Sequence, residues 1–309
     1  MATSMTPRVR GRAIGILSGA VAAVALCPTA LGAETPDFGG QWGRAMLHYE
    51  QPSSGPGPIL NTKLRGNGTM DQEAWVGDHD NPILKPKAAA IVKRRGEIAL
   101  SGMAAPDPHN QCRPEPTPFA MSTQFGMQFI RQGNKIVILY LANHQVRHVY
   151  LNESHPSNVT PTWQGHSVAR FDGDTLVIDT IGVKVGPEML AIVDLYGMPY
   201  SESLHVIERY RLIDGEAARA AQTRHERAYR GETMDVIPNG GRLSTDPTVK
   251  GLQVEVTVDD PRYYTVPWKA LVTYRRLLDD WPESVCAENT REYYANKDTE
   301  VPVDDAPDF

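Results

Sequence analysis

The stretch His166-Ser167-Val168-Ala169-Arg170-Phe171-Asp172-Gly173-Asp174-Thr175-Leu176-Val177-Ile178-Asp179-Thr180-Ile181 decides the fold. Two β-rich runs flank Asp172-Gly173, the strongest short-range hairpin signal. With Asp172-Gly173 as a two-residue loop, Phe171 faces Asp174, and counting outward sets His166 opposite Asp179. Side chains alternate between faces along a strand. One face then carries His166, Val168, Arg170, Thr175, Val177 and Asp179. The other carries Ser167, Ala169, Phe171, Leu176 and Ile178 and is the more obvious core. Directly opposed Cβ atoms lie about 4.5–5.5 Å apart, so this register predicts a His166–Asp179 contact. A carboxylate so placed orients an imidazole and raises its pKa, as a general base requires. The same geometry also fits a polar pair on a solvated face.

The pattern extends outward from this hairpin. Gln128–Arg131 and Ile136–Tyr140 flank Gly133-Asn134, a second two-residue turn signal. Residues 126–212 read as short β-rich runs between turn dipeptides, and strand patterns return at 252–258 and 268–277. Two helices interrupt them. Pro86–Leu100 starts with a proline suited to a first helical turn, and Gly96 weakens its second half. A charged, Ala-rich insert at 215–232 places Glu226 four residues before Arg230. No β-α-β alternation is present. The fold expected is mainly β: a lipocalin-like (calycin-type) antiparallel barrel or strongly curved sheet with a few short helices. Residues 34–125 form an irregular N-terminal wrap, and 126–290 form an antiparallel β core with a 215–250 insert. Together they make one domain, followed by an acidic tail at 291–309.

Composition narrows the class. The chain has 309 residues, 41% apolar and 22% charged, which excludes wholesale disorder. Its 26 Gly and 24 Pro favour turns and short strands. A net charge of −6 argues against a nucleic-acid partner. Arg8, Arg10 and Arg12, an apolar run to Leu26 and a small-residue stretch ending at Ala33 match a secretory signal peptide over 1–33. Of 31 basic residues, removing those three arginines leaves 28 against 37 acids, a net of −9. No later run is long and apolar enough to insert stably in a membrane. The expected location is periplasmic or secreted. Cys27 leaves with the leader, so Cys112 and Cys286 remain to form one disulfide, or stay as two buried thiols.

The candidate chemistry centres on a few side chains. Arg147 and Glu208 are charged residues in apolar strand contexts. Arg209, adjacent to Glu208, must point to the opposite face. Nine histidines include His144, His148, His155 and His166 in one stretch. Residues four apart on a strand are about 13 Å apart, too far to share an ion whose ligands lie at about 2 Å, so no metal is expected. No glycine-rich dinucleotide or phosphate loop is present and no cofactor is expected. Gly165-His166-Ser167-Val168-Ala169 approximates a hydrolase nucleophile elbow, but a hairpin follows where a helix is required.

Several blocks carry a resemblance: Asp37-Phe38-Gly39-Gly40-Gln41-Trp42, His155-Pro156, Trp163-Gln164-Gly165-His166-Ser167, Gly173-Asp174-Thr175-Leu176-Val177-Ile178-Asp179-Thr180, His205-Val206-Ile207-Glu208-Arg209-Tyr210, and Asp260-Pro261 with Tyr264-Thr265 and Pro267-Trp268. They resemble a large family of exported bacterial proteins of unassigned function, over about residues 34 to 290. The resemblance implies export and a β-rich domain, and no particular reaction. Where that family usually reads Pro-His-Ser, this chain has Pro199-Tyr200-Ser201. Gly40-Gln41-Trp42 also looks like the Gly-x-Trp opening of lipocalin-type barrels.

Two functional readings follow. The leading one is a cofactor-free lyase, isomerase or hydratase acting on a small hydrophobic or aromatic molecule in a barrel cavity. His166 is then the acid/base, Asp179 its orienter, and Arg147 or Arg209 the anion stabiliser, with Glu208 beside them. His155, Trp163, Ser167, Tyr140, Tyr264 and Trp268 are the candidate substrate-binding side chains. The alternative is a periplasmic small-ligand-binding protein without chemistry. A metal-dependent hydrolase using the His-rich stretch is the third option.

Overall fold

The computed structural model describes residues 1–3, 35–71, 74–237, 241–280, 283–284 and 286. The expected signal peptide from residue 4 onward and the expected acidic tail at 291–309 lie outside the described residues. Met1–Glu34 and Thr35–Phe309 are separate compact units, and every element below belongs to the second.

Nine strands close into a barrel in chain order. They are β1 (Gly40–Gly43), β2 (Gly126–Gln132), β3 (Lys135–Tyr140), β4 (Gln145–Leu151), β5 (His166–Asp172), β6 (Thr175–Ile181), β7 (His205–Ile213), β8 (Gly251–Asp259) and β9 (Trp268–Arg276). β1 closes the ring on β9 through Trp42–Arg276 and Gly43–Arg275. This is the mainly β barrel that the hairpin pattern predicts, with one departure from an antiparallel meander. β4 and β5 run parallel, pairing Val149 with Ser167 and Leu151 with Ala169. A parallel pair needs a return connection rather than a hairpin. Residues 152–165 supply it.

Glycine sets both hairpin registers. Gly133 takes φ 59° and opens the loop between Gln132 and Lys135, as predicted. Gly173 takes φ 62°, but it is the first loop residue, so Asp172 pairs with Thr175 and Val168 pairs with Asp179. A positive φ at the first central position is the type II′ form, which glycine adopts without a Cβ clash. The expected Asp172-Gly173 loop therefore moves one residue on, and the pairing shifts by two. An even shift preserves the faces. His166 and Asp179 share a face as predicted, but diagonally: His166 itself pairs with Ile181.

The Ser167, Ala169, Phe171 side of β5 points into the barrel, as do Leu176, Ile178 and Thr180 of β6. Trp42, Phe129, Tyr140, Tyr210, Tyr274 and Trp268 are all buried there. Burying each large apolar side chain stabilises by roughly 1.5–3 kcal/mol. Arg276 caps one part of this interior, its guanidinium 3.7 Å from the centre of the Trp42 ring.

Two helices pack outside the barrel. α1 (Pro86–Leu100) buries Ala88, Ile91 and Val92. It runs through Gly96, where a Cβ would lie 3.0 Å from Val76 Cγ1, so the glycine lets the helix pack close against Val76. α2 (Gly215–Arg230) ends on Gly231 at φ 84°, a left-handed cap. Gln222 donates from it to Thr273 O on β9 at 2.9 Å. The expected Glu226–Arg230 pair is replaced: Glu226 accepts from Met234 N at 3.0 Å, and Arg230 donates to Gln124 Oε1 at 3.3 Å. Cys112 and Cys286 are joined in a disulfide with Cα atoms 5.3 Å apart.

Candidate functional site

The predicted site residues fall into two groups, separated by the barrel wall. Inside lie Arg147 of β4 and Glu208 of β7, both with fully buried side chains. Arg147 Nη1 and Nη2 donate to Glu208 Oε1 and Oε2 at 3.0 and 2.6 Å, a bidentate fork. Nε donates to Ser167 Oγ at 3.0 Å, Nη1 to the Tyr140 hydroxyl at 3.2 Å, and Nη2 to Thr180 Oγ1 at 2.7 Å. All five guanidinium donors are thus engaged. Burial, the largest single effect, opposes the charge on Arg147, but Glu208, Tyr140 and Tyr210 together outweigh it and hold the pKa well above its ordinary value. Arg147, Glu208, Ser167 and Tyr140 therefore form a closed polar plug among apolar side chains. An arginine with no donor left over has none to offer a substrate anion.

Tyr264 and Trp268 are also buried parts of the packing. Tyr264 donates its hydroxyl to Pro199 O at 2.6 Å and meets Trp268 edge-on at 6.0 Å. Arg209 points outward, as parity requires, and pairs with Asp172 at 2.8 Å. Trp163 is half-buried beneath Lys184, whose Nζ lies 5.1 Å from the ring centre.

On the outer face four side chains form a chain of hydrogen bonds. His155, from the connection between β4 and β5, stands between His166 and Asp179. Its Nδ1 lies 2.9 Å from His166 Nδ1, and its Nε2 lies 3.1 Å from Asp179 Oδ1. His205 Nε2 reaches the same oxygen at 2.9 Å. The predicted direct His166–Asp179 contact is thus bridged. Diagonal neighbours on a sheet lie about 7–8 Å apart, and one imidazole fills that gap.

The partners assign the protons. A carboxylate only accepts, so His155 and His205 each donate Nε2–H to Asp179. Neutral His155 then accepts at Nδ1, His166 donates its Nδ1–H, and the lone pair of His166 lies on Nε2. The expected rise in the His166 pKa is not found, because Asp179 reaches the ring only through His155: burial first and neighbouring His155 second lower it, against a smaller opposing pull from Glu153. The ring of Tyr150 stacks on His166 with centroids 5.4 Å apart at 15°. When His166 Nε2 takes a proton, its Nδ1 proton can pass to His155. The resulting imidazolium is paired with Asp179.

His205 was not among the expected site residues. Its signal lay in the β6–β7 register: Asp179 pairs with Ile207, which puts His205 on the same face. Among the described residues, no group of three or more His, Cys, Asp or Glu side chains is arranged to hold a metal ion. His144 Nε2 accepts from Ser284 N at 2.9 Å, and His148 is exposed on the outer face of β4. A separate open cleft of about 470 Å³ lies away from the relay, between Pro56, Pro58, Leu60, Asp78, Pro82 and Val266. No protein-family model matches the chain, and no curated protein matches it either.

Proposed function

We propose that the His166–His155–Asp179–His205 chain is the acid–base centre of a cofactor-free enzyme. It acts on a small hydrophobic or aromatic molecule by proton transfer, as a lyase, isomerase or hydratase does. The observation that carries this reading is the relay, which leaves His166 Nε2 as a neutral, oriented base. His166 removes a proton from the substrate. His155 and Asp179 are positioning residues that take up the developing charge, and the Tyr150 ring beside His166 offers an apolar contact. The substrate binds on the outer face, since the barrel interior is filled by its own side chains. The disulfide and the resemblance to exported proteins support work outside the cytoplasm.

Incorporation of solvent deuterium into a panel of small aromatic and carbonyl compounds tests this, because proton removal from carbon is common to all three reaction classes. The wild type is expected to label a subset of the panel. His166→Ala should slow labelling by about 10²-fold or more, the scale of general acid–base catalysis. No labelling above the buffer rate by the wild type would contradict the proposal. The second reading, a ligand-binding protein without chemistry, is favoured by the open cleft beside Leu60 and Val266, two exposed apolar side chains. Binding of panel compounds that survives His166→Ala and is lost on filling that cleft with Leu60→Trp would favour it.

A further inference from the structure

His48, far from the relay in sequence and absent from the proposed chemistry, is held in an unusual way. Its side chain is buried, yet neither ring nitrogen meets a hydrogen-bond partner among the described residues. Its backbone sits at φ 64°, a left-handed conformation that costs a residue with a Cβ of order 1–3 kcal/mol. Two contacts pin that backbone: His48 N donates to Ser122 O at 2.7 Å, and Arg44 Nη2 donates to His48 O at 2.7 Å. Aromatic rings enclose the imidazole. Tyr196 stacks on it at 4.2 Å and 11°, Trp75 meets it edge-on at 5.4 Å, and Tyr229 of α2 lies at 5.5 Å.

The preceding turn of α2 carries a second, half-buried imidazole. His225 donates from Nε2 to Leu47 O at 2.9 Å, the residue before His48. The end of α2 is therefore seated on the 44–49 segment through two histidines and a tyrosine. The ionisable groups that act on His48 are Arg44 from the segment after β1 and His225 from α2. Tyr196 and Tyr229 face it as neutral rings. His225 feels Arg44 and, with the opposite sign, Glu50.

We propose that His48 and His225 form an acid-released latch that holds α2 on the barrel near neutral pH and frees it in mild acid. An aromatic box accepts a flat neutral imidazole as one more ring. A protonated one brings a cation with no acceptor into a dry site beside Arg44, and α2 bears its own cation there. Burial first, and then the neighbouring positive charge, lower the pKa of both rings. The sign follows directly. The seated state binds fewer protons than the released state, so its stability is complete above the ordinary histidine value of 6.5 and is lost as pH falls below it. Each such ring raises the release equilibrium by up to about tenfold per pH unit.

Hydrogen exchange of the intact protein at pH 7.5 and 5.0, corrected for the intrinsic exchange rate, reads the opening of α2. The opening constant of Gly215–Arg230 amides should rise at least about tenfold at the lower pH, while β7 and β8 amides keep their protection. His48→Phe keeps the ring stack without the titration and should remove most of that rise. His225→Gln retains a donor for Leu47 O and should reduce it in its own right, so either variant decides the matter if the other fails to fold. An α2 opening constant that does not rise in the wild type, or a rise that is unchanged in the variants, would overturn the latch.

Discussion

Nδ1 of His155 and Nδ1 of His166 face each other at 2.9 Å. Two ring nitrogens at that separation share one proton, so each ring fixes the tautomer of the other. Asp179 sets the direction of the chain by accepting from His155 Nε2. Nitrogen-15 NMR should find His155 protonated at Nε2 and His166 protonated at Nδ1 at pH 7.5. Asp179→Asn offers an amide that can also donate, and should leave His155 as a mixture of tautomers. A His166 protonated at Nε2 in the wild type would run the relay in the wrong direction.

The pH dependence of turnover follows from the lowered pKa of His166. The ring is active when neutral, so the rate constant kcat/KM should be flat above 6.5 and fall only at lower pH, as the ring protonates. A rate that continues to fall as pH drops from 8 to 7 would assign the base to another group.

The interior ion pair is a structural commitment. Arg147→Met leaves Glu208 buried without a cation and should destabilise by about 3–5 kcal/mol in urea unfolding. Arg147→Met combined with Glu208→Leu removes both charges and should recover much of that loss. Equal destabilisation by the single and double variants would show that packing, not the stranded charge, dominates.

Cys112 and Cys286 are 174 residues apart. In the chain-entropy picture, a loop of that length stabilises the fold by about 5 kcal/mol. Cys112→Ser with Cys286→Ser should lower the unfolding free energy by an amount approaching that figure. Mass spectrometry of the non-reduced protein should show the two half-cystines in one linked peptide pair. Two free thiols in the oxidised protein would contradict the bridge.

The turn at Gly173 makes a local prediction. Gly173→Ala forces a Cβ into φ 62° and should cost about 1 kcal/mol or more, whereas Asp174→Ala at the neighbouring position should cost little. Thermal unfolding of the two variants checks it. Equal effects would contradict the left-handed conformation of Gly173.

Period-two alternation and turn dipeptides made the barrel legible in advance. Val168, Arg170, Val177 and Asp179 fall on one face, and Ser167, Phe171 and Ile178 on the other, whichever glycine-containing pair closes the loop. The parallel β4–β5 pair was not legible, because 152–165 has no periodicity to reveal its path. That same stretch delivers His155, so the bridge between His166 and Asp179 was hidden with it. Arg147 and Glu208 stood out as charges in apolar strands. Their pairing across 61 residues depends on barrel closure, which no local pattern encodes. His48 carried no signal at all, since an aromatic box built from Trp75, Tyr196 and Tyr229 exists only after folding.

The central claim is that Asp179, acting through His155, makes His166 Nε2 an oriented neutral base. Carbethoxylation by diethyl pyrocarbonate at pH 7, followed by peptide mapping, reads the reactivity of each histidine separately, with exposed His148 as the internal reference. His166 should react faster than His148, because its lowered pKa keeps Nε2 unprotonated, and Asp179→Asn, which frees the tautomer of His155, should slow it without changing His148. A His166 that reacts no faster than His148, at a rate indifferent to Asp179→Asn, would contradict the account.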